Sequence, residues 1–150
     1  MSNVYEDVAF APRNYQLPQA EIDARVNAAL EQVHLSDLKD RPIYKLSGGE
    51  KKLAAIATVL SMNPDIMLMD EPSAALDPKN RRNLIHILNA LPQTKLIASH
   101  DLDFILDTCS RVLLLSHGEI IADNTTEKIL LDKILLEENN LELPLSYFRK

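Results

Sequence analysis

The chain has 150 residues, 46% apolar and 25% charged, with a formal net charge of −6. That is enough for one domain with a sizeable core, and the acidic balance argues against a surface that grips nucleic acid through its phosphates. The lone cysteine, Cys109, excludes a disulfide framework or a cysteine metal site and reads as core packing. No apolar run reaches the ~20 residues that span a bilayer, and Met1-Ser2-Asn3 leads into acidic residues, unlike a signal peptide. The expectation is a cytosolic chain, peripheral if it serves a membrane system.

In chain order, Val4 to Tyr15 is mixed, punctuated by Pro12 and Pro18. Ile22, Val26, Ala29, Leu30 and Val33 predict an amphipathic helix over Gln19 to Val33. Leu35 to Tyr44, with Pro42, reads as a loop or short turn. A helix is expected over Ser47 to Met62, with Leu53, Ile56, Ala57 and Leu60 on one face and Pro64 ending it. Asp65 to Asp70 is nearly all apolar, as in a strand buried on both faces. Asp77-Pro78 opens a helix, with Asp77 as N-cap and Pro78 at its first position. Its stripe is Leu84, Ile87, Leu88 and Leu91. Lys95 to Ser99 reads as a strand and Asp101 to Thr108 as a helix. Arg111 to Leu115 and Glu119 to Ala122 read as strands joined by a Ser116-His117-Gly118 turn. Thr125 or Thr126 caps a helix to about Glu137. The tail, Asn139 to Lys150, reads as packed and not helical. Alternating strands and helices imply an α/β fold with a mainly parallel sheet.

Four stretches carry chemistry. In Leu46-Ser47-Gly48-Gly49-Glu50, Ser47 and Glu50 form a capping box. The same geometry turns backbone N–H groups toward an anion at a helix N-terminus, and the missing Cβ atoms allow close approach. Asp70-Glu71 ends an apolar strand, where α/β sheets bind ligands; the alternative is two solvated acids. Pro72-Ser73-Ala74-Ala75-Leu76-Asp77 follows. Ser99-His100-Asp101 closes the next strand. His34, His86 and His117 have no such context and read as surface residues. A phosphate-cradling loop needs Gly-x-x-x-x-Gly-Lys-Ser/Thr. The glycines are Gly48, Gly49 and Gly118, and none precedes a lysine.

In this order the four stretches resemble the signature motif, Walker B motif, D-loop and H-loop of ATP-binding cassette (ABC) ATPases, without the P-loop and Q-loop. The resemblance covers essentially the whole chain and implies a partial P-loop NTPase fold. Residues 1–62 would form a helical signature subdomain, 63–124 a Walker B to H-loop core and 125–150 a C-terminal extension. It implies that Asp70 serves Mg²⁺, Glu71 the attacking water and His100 the γ-phosphate. Ser47, Gly48, Gly49 and Glu50, with Asp77, would contact ATP bound across a dimer. Glu50 stands where the family usually has Gln, a departure that is tolerable if its carboxylate points back as the cap. Ser73 and Ala75 replace the frequent Thr and Gly.

Val4-Tyr5-Glu6-Asp7-Val8-Ala9-Phe10-Ala11-Pro12 is similar to the segment after the Q-loop in ATPases of cobalt/nickel and vitamin uptake, the energy-coupling-factor type. Asn140-Leu141-Glu142-Leu143-Pro144 is similar to that branch's C-terminal extension. The resemblance implies ATP and Mg²⁺ as cofactors, with a second ATPase subunit and an integral membrane component as partners. It also places the missing P-loop strand between the Lys95 and Arg111 strands. The chain alone is expected not to hydrolyse ATP. A module donating its signature to an intact partner, or a fragment without independent role, are the alternatives. Chromosome-maintenance and translation ABC proteins fit less well, because no long heptad region flanks the motifs.

Overall fold

The computed structural model describes residues 3–149. Met1 and Ser2, part of the leader reading above, and Lys150, the end of the expected tail, lie outside them. The chain divides into two compact units, Met1–Leu96 and Ile97–Lys150.

The first unit opens with α1 (Val4–Asn14), a helix where the sequence reads as mixed. Asn3 caps it, accepting from the Glu6 N–H at 2.8 Å, and Glu6 and Asp7 complement the dipole of the first turn. Val4, Val8, Ala9 and Pro12 form its buried stripe. Pro12 does not break the helix. Its missing N–H leaves the Val8 carbonyl free, and the Ser61 hydroxyl reaches that carbonyl at 3.0 Å. α2 (Gln19–Gln32) follows with the expected apolar face. The expected loop contains two 3₁₀ turns, Ser36–Leu38 and Ile43–Lys45. α3 (Gly48–Leu60) buries Leu53, Ile56, Ala57 and Leu60, and α1, α2 and α3 pack on one another.

β1 (Ile66–Asp70), α4 (Pro78–Ala90) and β2 (Thr94–Ala98) make a strand–helix–strand unit, the α/β element that joins parallel strands. The strands form a two-stranded sheet, and the unit boundary falls within β2. β1 corrects the expectation of burial on both faces. Met67 is buried, but Ile66 and Leu68 are 59% and 75% exposed, and Leu96 on β2 is 58% exposed. Successive side chains leave a strand on opposite sides, and in this chain one side is covered.

The second unit contains α5 (Leu102–Thr108), β3 (Arg111–Ser116), β4 (Glu119–Thr125), α6 (Thr126–Leu130) and α7 (Lys133–Glu138). β3 and β4 are an antiparallel hairpin, in a sheet separate from β1–β2. His117 and Gly118 both have positive φ, +50° and +83°, as a two-residue turn matched to strand twist requires. The single helix expected up to Glu137 is two. Asp132 ends the first by capping the second, accepting from the Leu135 N–H at 3.1 Å. Thr125 holds the N-cap position of α6 without a side-chain bond, while the buried Thr126 hydroxyl donates to the Cys109 carbonyl at 2.6 Å. The core joins Ile105, Leu114, Ile129, Leu130 and Leu136, with Cys109, Leu141 and Leu143 packed against it. The tail is packed as expected but ends in a 3₁₀ turn, Leu145–Arg149. The Asp103 carboxylate anchors it, accepting from the Leu145 and Ser146 N–H groups at 2.8 and 2.9 Å.

Candidate functional site

The first unit holds all but one of the candidate residues. Ser47 is the N-cap of α3 and its box with Glu50 is complete. The Glu50 N–H donates to Ser47 Oγ at 3.2 Å, and the Ser47 N–H donates to Glu50 Oε2 at 2.7 Å. That backbone bond from Ser47 is the main reason the Glu50 carboxyl titrates below its ordinary range. The carboxylate points back into the helix start.

The two glycines differ. Gly48 is exposed, and a Cβ there would meet nothing within 4 Å. Gly49 is buried, and a Cβ there would lie 2.6 Å from the Asn80 amide carbon. A side chain at Gly48 would meet open space, whereas the absence of one at Gly49 lets α3 lie against the start of α4. Asp77 caps α4, accepting from the Lys79 and Asn80 N–H groups at 2.9 and 3.0 Å. The Asn80 backbone bond leads the causes that hold the Asp77 carboxyl below its usual value. The Asn80 side chain donates to the same carboxylate at 2.5 Å.

Asp70 is exposed at the carboxyl end of β1. Glu71 follows, half-buried, with φ at +44°, a left-handed conformation unusual for a residue with a Cβ. Ala75 repeats it at +59°, a conformation that glycine adopts without strain. Lys52, on α3, donates to the Glu71 carbonyl at 3.0 Å and the Ala74 carbonyl at 3.1 Å. The signature start, the β1 exit turn and the α4 start are thus tied together. Lys52 and Asn80 escaped the sequence reading. A lysine on a helix and an asparagine in a first turn carry no local signal of these contacts.

His100 lies in the second unit and is exposed, between β2 and α5. Asp101 caps α5, accepting from the Phe104 N–H at 2.9 Å. His34, His86 and His117 are exposed, as expected.

These residues fit a nucleotide and its metal. The open Gly48 turn can admit a phosphate. Among the described residues no group of three or more His, Cys, Asp or Glu could hold a metal ion by itself. Mg²⁺ needs no such cage, because it is commonly held by one or two carboxylates plus phosphate oxygens and water. Asp70, exposed at a strand end, could offer one such carboxylate.

A family model described as "AAA domain, putative AbiEii toxin, Type IV TA system" matches residues 1–107. The chain belongs to this class of AAA domains. It is 48% identical over 151 residues to a protein of Gloeobacter violaceus named as an ABC transporter ATP-binding protein, covering 99% of this chain and 62% of that one. Against the energy-coupling factor transporter ATP-binding protein EcfA of Carboxydothermus hydrogenoformans it is 44% identical, over 96% of this chain and 54% of the relative. The solved structure of CbiO1 from Clostridium perfringens, part of the ABC transporter complex CbiONQ, superposes with a TM-score of 0.81 at 36% identity, over 93% of this chain and 57% of that one. Within that class, the chain is similar to ABC transporter ATP-binding proteins, some of them of the energy-coupling-factor type. It spans little more than half the length of those relatives. No helix among the described residues is long and apolar enough to cross a membrane.

Proposed function

We propose that this chain is the signature and Walker B portion of an ATP-binding subunit in an energy-coupling-factor importer. That subunit couples ATP hydrolysis to uptake of a metal ion or vitamin. The observation that carries the reading is the open Gly48 turn at a capped helix start, in the same unit as the Asp70-Glu71 pair at a strand end. Ser47, Gly48 and Gly49, supported by Glu50 and Asp77, contact the nucleotide of an opposing ATPase subunit. Asp70 holds Mg²⁺ directly or through water. Glu71 polarises the attacking water, and His100 contacts the γ-phosphate. Bound Mg²⁺ supplies charge neutralisation at the phosphates, so the protein's part is positioning and electrostatics. The partners are a second ATPase subunit and an integral membrane component, on the inner face of the cell membrane. A P-loop from elsewhere is required, since no Gly-Lys pair occurs in the chain.

The test is ATP hydrolysis by the purified chain alone, and by the chain co-produced with the P-loop-bearing segment of a relative. Silence alone and turnover in the pair, cut at least ~100-fold by Glu71→Gln, is the expected result. Glu71-dependent turnover by the chain alone would overturn the need for a P-loop. A second reading, a module donating its signature, is favoured by the completeness of the Ser47 capping box. It predicts Ser47-dependent stimulation of an intact ATPase subunit while the complemented pair stays silent.

A further inference from the structure

The turn from Glu71 to Leu76 holds two residues with side chains in the left-handed region, Glu71 and Ala75. Such conformations are unfavourable and persist when the surroundings over-determine them. Its own backbone bonds include those from the Ala74 N–H to the Glu71 carbonyl at 3.2 Å and from the Leu76 N–H to the Ser73 carbonyl at 3.3 Å. Both are near the long end of the normal range. Shorter bonds to this turn come from Lys52, whose ammonium bridges the carbonyls of Glu71 and Ala74. A charged donor makes stronger bonds than a neutral one. Lys52 is half-buried, which limits its freedom to exchange these carbonyls for water.

We propose that Lys52 is a positioning residue: it ties α3 to the β1 exit turn and so sets where the Glu71 side chain stands. The contact is to Glu71's own carbonyl, so a shift of the ammonium acts on the backbone of the residue that carries the carboxylate. Because Lys52 and the Ser47-Gly48-Gly49 turn share α3, a displacement of the signature start is transmitted to Glu71. The catalytic consequence rests on the role of Glu71 proposed above; the structural tie does not.

Two measurements on Lys52→Met and Lys52→Arg test this. The first is amide hydrogen exchange in the full chain. Lys52→Met is expected to speed exchange at Ala74 and Leu76 by ~10-fold or more while α1 and α2 keep their protection, and Lys52→Arg to stay near wild type. Unchanged exchange in Lys52→Met overturns the proposal. The second is hydrolysis by the chain complemented with a P-loop segment. Lys52→Met is expected to lower kcat by ~10-fold with KM for ATP within about twofold, and Lys52→Arg to recover most of it. Loss of protection with kcat unchanged, or a change in KM alone, reduces Lys52 to a structural tie and overturns its positioning role. If the wild-type pair is silent, the role of Glu71 fails, while the exchange result still decides whether Lys52 holds the turn.

Discussion

The Ser61 hydroxyl stands 3.0 Å from the Val8 carbonyl, in the place of the N–H that Pro12 lacks, and 2.8 Å from the Thr58 carbonyl, so its single proton is shared between the two. A proline inside a helix orphans the carbonyl four residues earlier, and a buried acceptor without a partner is destabilising. Ser61 is itself buried. The expected outcome is that Ser61→Ala destabilises the chain by about 1–3 kcal/mol, read from the urea midpoint. Pro12→Ala restores a donor to Val8, so the loss from Ser61→Ala should shrink in the Pro12→Ala background. A strictly additive double mutant would rule out this division of labour.

Gly48→Ala and Gly49→Ala should separate. Alanine at Gly49 must displace the Asn80 amide, which is held by Asp77. The expected loss is about 1 kcal/mol, the worth of that hydrogen bond. Asn80→Ala should remove most of the penalty. Alanine at Gly48 meets open space, so stability should not fall, and any effect should appear in nucleotide-dependent assays. Equal losses at the two positions would show that both glycines serve packing.

Ala75→Gly should stabilise the chain. At φ +59° a Cβ is unfavourable, and glycine relieves it at some cost in unfolded-chain entropy. A gain of about 0.5 kcal/mol in chemical denaturation is the expected balance. A loss would mean that the alanine methyl makes contacts that outweigh the strain.

The capping box sets a pH dependence. The Glu50 carboxyl, held below its ordinary value of 4.5, chiefly by the backbone N–H of Ser47, binds protons more weakly folded than unfolded. Its contribution is therefore complete above the unfolded value and lost as pH falls through the lower folded one. The stability difference between wild type and Glu50→Gln should shrink as pH drops from about 6 to about 3. Ser47→Ala should cost about 1 kcal/mol at neutral pH. A difference between wild type and Glu50→Gln that stays constant across this range would remove Glu50 from the cap.

How much could be read in advance depended on the range of each signal. Ser47 with Glu50, and Asp77 with Pro78, announce helix starts within a few residues, and both starts fall where expected. The helix over Val4–Asn14 was obscured by Pro12, because its remedy, Ser61, is far along the chain. The break between α6 and α7 has no glycine or proline to mark it, only a capping aspartate at Asp132. At the candidate site the acids, glycines and His100 were visible as motifs, whereas Lys52 and Asn80 became visible only when folding brought α3 to the turn and to α4. The unbroken apolar run of β1 could not say which of its sides this chain would cover.

Ile66, Leu68 and Leu96 bring that last point to the bench. Isolated large apolar side chains on a surface are ordinary, but three of them on one pair of strands favour association. Self-association through these side chains is the expected behaviour of the purified chain. Light scattering should rise with protein concentration, added salt should worsen it by screening repulsion, and a Leu68→Lys change should suppress it.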